Sequence, residues 1–260
     1  MRIVNFGQVC LALGMIGLGA LSLIYHDYAL QWQPVPDWVG GKPILAMISG
    51  LILVAGGAGL LFRATGPMAA LALTLFLLIW VVLLKLPPAV VKPLEPVGWL
   101  GVGEDLAMTC GAWTVFAALA KGAEGLDIAF LTSDTGVRVA RILFGLACLA
   151  FGWSHFAYAD FTSQMIPSWL PERLPLAYIT GAGHIAAGLA LVSGVLPRLA
   201  ATLEGAMMAI FVVLVHIPLV LAPPTQLSWT MLFVATSLAG SAFAVAWAVR
   251  DQPWGLGKAA

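Results

Sequence analysis

Apolar residues in this chain come in long unbroken runs. They show neither the alternation of a half-buried strand nor the one-sided stripe of a soluble helix. Eight runs stand out: Gly7–Tyr25, Ile44–Phe62, Met68–Leu84, Val97–Leu119, Ile142–Tyr158, Leu176–Leu196, Leu199–Leu221 and Trp229–Val249. A helix needs about 20 mostly apolar residues to cross a hydrocarbon core, and these runs meet or approach that length. Dyad alternation is missing, which excludes an outer-membrane barrel. The pattern predicts an all-α, polytopic membrane protein with eight transmembrane helices and the lipid bilayer as its solvent.

Composition sharpens this picture. Hydrophobic residues make up 61% of the 260 positions and charged residues only 9%, against about 25% in a soluble domain. Twelve basic and twelve acidic residues cancel, so no polybasic surface offers itself to nucleic acid. Cys10, Cys110 and Cys148 lie inside apolar runs without CxxC or metal spacing, and read as small buried hydrophobes. Arg2 precedes an apolar run with no small-x-small cleavage site, which reads as a retained first helix.

The links between runs set orientation. Arg2, Arg63, Lys121, Arg138, Arg141, Arg198, Arg250 and Lys258 fall on one side, and Lys42, Lys85, Lys92 and Arg173 on the other. The positive-inside bias then places both termini in the cytoplasm. Trp32, Trp38, Trp99, Trp169 and Trp229 fall on or beside the outward links, where an interfacial belt is expected.

The two halves align. Lys85-Leu86-Pro87 falls on His216-Ile217-Pro218 at a shift of 131 residues, as do Ser49-Gly50 on Thr180-Gly181 and Gly57 on Gly188. Pro36-Asp37-Trp38 falls on Pro167-Ser168-Trp169 at the same shift. Four spans per unit give both units one orientation, a parallel repeat about an axis along the membrane normal. The expected organisation is a first four-helix unit over 1–120, a cytoplasmic linker over 121–141, a second unit over 142–250 and a tail over 251–260. The two units are expected as four-helix bundles side by side. Gly14, Gly17, Gly56, Gly57, Gly59, Gly181, Gly183 and Gly188 mark close helix approaches.

Ionisable groups inside the runs carry the candidate chemistry, because a mid-membrane charge costs about 2.5 to 3.5 kcal/mol on insertion scales. At 1.5 Å per residue, Glu104 and Asp105 lie about 7–9 Å from the outer end of their helix. By the same measure His216 lies about 7 Å and His184 about 12 Å from theirs. His155, Lys85 and His26 sit at outer ends, and Glu204 stands alone toward the cytoplasmic side.

Three readings stay open. In the structural one, Lys85 pairs with Glu104 or Asp105 or snorkels outward, and the histidines bond locally. In the second, His155, His184 and His216 bind a cofactor such as quinone, haem or a metal, although no ligand spacing requires one. In the third, Glu104, Asp105 and the histidines relay protons for a small-molecule carrier. No soluble catalytic motif is present, so no catalytic residue is assigned.

Four motifs carry a resemblance. Gly152-Trp153-Ser154-His155-Phe156, Ile166-Pro167-Ser168-Trp169-Leu170-Pro171, Tyr178-Ile179-Thr180-Gly181 and Pro197-Arg198-Leu199-Ala200-Ala201 resemble the DoxX family. The match covers the second unit well and the first weakly. It implies a four-helix bacterial inner-membrane unit that acts as a small membrane subunit or accessory of a redox system, with a redox protein as partner. Family members commonly place Glu where this chain has His184, so a role needing that carboxylate is not implied here. The fused double unit implies an intramolecular pair in place of a homodimer.

Overall fold

The computed structural model describes residues 5–120 and 128–255. Arg2, Lys121 and Lys258, and part of the expected linker and tail, lie outside the described residues. Eight long helices form α1 (Phe6–Tyr25), α2 (Lys42–Leu60), α3 (Gly66–Val91) and α4 (Pro96–Ala120), then α5 (Asp134–Ala157), α6 (Arg173–Ser193), α7 (Pro197–Leu221) and α8 (Gln226–Ala248). Among the described residues there is no strand, and seven of these helices are long and apolar enough to cross a membrane. The remaining long helix is α4, whose apolar run is interrupted by Glu104 and Asp105. The chain is a multi-pass membrane protein.

Local sequence explains where helices begin. Asn5 caps α1 by accepting from the Gln8 amide, and Ser133 caps α5 through the Gly136 amide. Thr225 and Ser228 form a reciprocal capping box on α8. Proline opens α2, α3 and α7, where its missing donor is not needed. The Ser133 cap lets α5 begin eight residues before the predicted Ile142, since two polar turns project beyond the apolar run. Short helices Ala129–Thr132 and Ala159–Met165 occupy connections that hydropathy left unassigned.

α3 runs past its predicted end at Leu84, through Pro87 and Pro88, and α7 ends at the predicted Leu221 after passing Pro218. Each contains one π-helical turn, Val81–Lys85 and Val212–His216, directly before Leu86-Pro87-Pro88 and Ile217-Pro218. A proline removes a donor and presses its ring on the carbonyl four residues back, and the wider turn accommodates both without ending the helix. The two turns are 131 residues apart, as are the starts of α2 and α6 and of α3 and α7.

Helix packing departs from two bundles standing side by side. The first helix of each half packs along the last helix of the other half, α1 on α8 and α5 on α4, as well as on its own next helix, while α4 and α8 touch along the centre. Small residues cause this. A methyl group on Gly240 would sit 2.3 Å from the Leu11 amide nitrogen, and one on Gly7 would sit 2.5 Å from the Gly240 carbonyl oxygen. In lipid, such backbone proximity is the main source of helix association. Within each half the same device recurs: Gly57 meets the Ala12 carbonyl on α1, and Gly188 meets the Gly145 carbonyl on α5. The two apolar cores share α4 and α8, with Met108, Ala112 and Phe116 facing one and Ala107, Cys110 and Trp113 the other.

Candidate functional site

The second half gathers buried polar side chains between α5, α6 and α7. Gly194, at φ 79°, ends α6, and Pro197 restarts the chain as α7, making a tight antiparallel hairpin. Residues at similar distances from such a turn face each other. His184 and Glu204, each roughly 10–14 Å along its helix from the turn, do so. His184 Nδ1 donates to Glu204 Oε1 at 2.7 Å, with both side chains buried. A carboxylate can only accept, so the proton in this bond belongs to Nδ1.

His155 joins them from α5. A methyl on Gly181 would lie 2.8 Å from His155 Cβ, so the glycine lets α5 approach until the His155 and His184 rings stand 4.7 Å apart. His155 Nδ1 donates to the Phe151 carbonyl at 2.9 Å, and Phe151 and Phe211 enclose the two imidazoles. Cys148 of α5 lies near Glu204. The second carboxylate oxygen, Glu204 Oε2, has no hydrogen-bond partner among the described residues. Glu204 also lines a crevice of about 330 Å³ between α6 and α7, walled by Gly183, Ala187, Leu203 and Met207. Leu203 is 60% exposed at its rim. In a spanning helix such an apolar exposed face meets acyl chains, so the crevice opens toward lipid.

This differs from the sequence reading, which left Glu204 alone on the cytoplasmic side. The hairpin brings it to His184. His216 ends the α7 π turn with its Nδ1 buried and unpartnered, and makes no ring contact with the other histidines among the described residues. His26 is an exposed cap of α1 in the left-handed conformation. Three histidines therefore do not share one pocket; two do.

A haem does not fit the pair. Two axial imidazoles face each other across a macrocycle, whereas these rings touch. Among the described residues no three His, Cys, Asp or Glu side chains are grouped to hold a metal ion.

The first half holds a different polar centre. Lys85 turns inward instead of snorkelling, with its ammonium 4.0 Å from Asp105 and the two side chains buried. Glu104 is half-buried near the same ammonium. Trp32 belongs to this centre and not to an interfacial belt: it is buried beside Asp105, while Trp38 and Trp169 are exposed as expected. Nothing separates a buried tryptophan from a belt tryptophan in the sequence of an outward link. Lys85→Ala leaves Asp105 without its counter-charge, and is expected to destabilise the protein by about 3–5 kcal/mol. Unfolding in detergent measures this, and adding Asp105→Leu should recover most of the loss. A double variant as unstable as the single one contradicts the pairing.

A DoxX family model matches residues 136–217, which include nearly all of α5, all of α6, most of α7 and each of His155, His184 and Glu204. No curated protein and no solved structure matches the chain. The hairpin, the glycine-mediated approach of α5 to α6 and the buried imidazole–carboxylate pair all fall within that match. Over residues 136–217, about a third of its length, the chain is similar to the DoxX family.

Proposed function

We propose that the protein is a membrane-embedded subunit of a quinone-linked redox system, with the α6–α7 crevice receiving the head of a lipid-soluble quinone or quinol. One observation carries this reading. A fully buried carboxylate, held at Oε1 by His184, keeps its other oxygen free beside a crevice that faces the membrane. A quinone gains two electrons and two protons on reduction, so its site needs a proton-exchanging group away from bulk water. Glu204 is the group that meets the head. His184 holds that carboxylate and stabilises its charge, and His155, in contact with His184, extends the series toward the end of α5. The electron route lies in a partner protein.

The same reading takes α4 as an eighth crossing, whose 25 residues reach about 37 Å. Its placement between the halves and the Lys85 counter-charge support this, because they keep Glu104 and Asp105 from lipid. Two parallel four-helix units in a bacterial inner membrane, with both termini cytoplasmic, complete it. Support comes from the shared spacing of helix starts and π turns, and from Arg63, Arg138, Arg141, Arg198 and Arg250 at one end of the helices.

A titration tests the function. Purified protein in lipid nanodiscs is titrated with a short-chain ubiquinone or menaquinone and its reduced form. A hydrogen bond to a charged group contributes about 1.5–3 kcal/mol, so Glu204→Gln is expected to weaken binding roughly tenfold or more. Ala186→Trp, an exposed position lining the crevice, should abolish it. Binding that neither substitution alters would refute the site.

A further inference from the structure

A second cavity lies on another face of the first turns of α7, where the starts of α1 and α7 meet the end of α8. It measures about 490 Å³ and is lined by Asn5, Phe6, Arg198, Thr202, Arg250, Asp251 and two tryptophans. The Arg198 guanidinium stands 4.1 Å above the Trp254 ring. That of Arg250 stands 4.9 Å above Trp247 and donates to the Trp247 carbonyl at 3.1 Å. Neither guanidinium has a carboxylate within ion-pairing distance among the described residues.

These features together describe a receptor for an anion. Contact with aromatic faces holds both guanidiniums at the cavity; Arg250 spends one N–H on the Trp247 carbonyl and keeps the others, and Arg198 keeps its N–H groups for phosphate oxygens. Asp251 lowers the charge of the lining to one net positive, which suits a singly charged phosphodiester better than a dianion. Tryptophans at helix ends mark headgroup depth, and Phe6, 66% exposed at the rim, offers an apolar surface for the first carbons of an acyl chain.

We propose that this cavity binds a phosphodiester monoanion, supplied by the headgroup of an anionic phospholipid from the leaflet on the side of the chain termini. The site is remote from the α6–α7 crevice in function and does not depend on what that crevice binds. It anchors α1, α7 and α8 to one another where α1 locks the two halves together.

Native mass spectrometry of the detergent-purified protein, titrated with phosphatidylglycerol and with phosphatidylcholine of the same chains, tests it. Each arginine near an anionic lipid surface contributes roughly a fivefold factor in affinity. Phosphatidylglycerol should therefore bind at one preferred site, weakened about fivefold by Arg198→Gln and separately by Arg250→Gln. Arg63→Gln, at an exposed position outside the cavity, should leave it unchanged. Because Arg250 is exposed, its variant covers the case in which Arg198→Gln does not fold. Equal phosphatidylglycerol affinity in all four proteins, or phosphatidylcholine binding as tightly, overturns the proposal. Inorganic phosphate that displaces the lipid at millimolar concentration, and stabilises wild type but not Arg198→Gln, overturns the lipid source and assigns the cavity to a free anion.

Discussion

Glu204→Ala is expected to cost about 3–5 kcal/mol of folding stability, because it strips the partner from a buried imidazole and leaves a void among α5, α6 and α7. Glu204→Gln should cost far less, on the order of 1 kcal/mol, since its amide oxygen still accepts from His184 Nδ1. The pair also has a signature that simple burial lacks. In a double-mutant cycle, His184→Ala with Glu204→Ala should destabilise less than the sum of the two single changes, by at least about 1 kcal/mol. Reversible unfolding in detergent reads all four corners. Additive losses would mean that the 2.7 Å contact carries no coupling.

The second large effect concerns the interlock of the halves. At Gly240 a side chain meets the backbone of α1, not the movable end of a side chain: the Leu11 nitrogen at 2.3 Å and the Gly7 oxygen at 2.8 Å. Backbone cannot give way locally, so α1 and α8 must separate along their length. Gly240→Ala is expected to cost on the order of 3 kcal/mol, the upper range for overpacking. Gly240→Val should yield no stably folded protein. Gly40→Ala is the matched control, because nothing lies within 4 Å of that position, and it should stay within about 0.5 kcal/mol of wild type. If Gly240→Val folds normally, the close α1–α8 crossing is not what holds the halves together.

Much of this fold is legible in the sequence because lipid imposes a simple rule. Continuous apolar runs mark the long helices, and the glycines at 57, 181 and 188 identify faces where backbones touch. The repeat spacing anticipates the two π turns, although only the prolines after them hint at a widened helix. Which helices from different halves meet could not be read, since glycine says that something is close and not what. Gly7 and Gly240 carry that information only as a pair.

The site was half legible. His155 and His184 stand out as ionisable groups in apolar helices, yet their contact depends on Gly181, which the sequence marks only as a small residue. Depth counted from one membrane face leaves Glu204 alone, apart from the histidines. Counting from the Gly194 turn instead places it opposite His184, and that signal was present in the spacing. Lys85 at a helix end suggests snorkelling. Only the carboxylate on α4 explains why it points inward, and that pairing is a property of packing.

The central claim is that a lipid-soluble head group reaches Glu204 through the α6–α7 crevice. Photolabelling of native membranes with an azidoquinone, followed by peptide mapping, tests it most directly. The account predicts covalent label between Gly183 and Met207, lost in Ala186→Trp and in competition with unlabelled quinone. Label confined to other helices, or undiminished by Ala186→Trp, would contradict it.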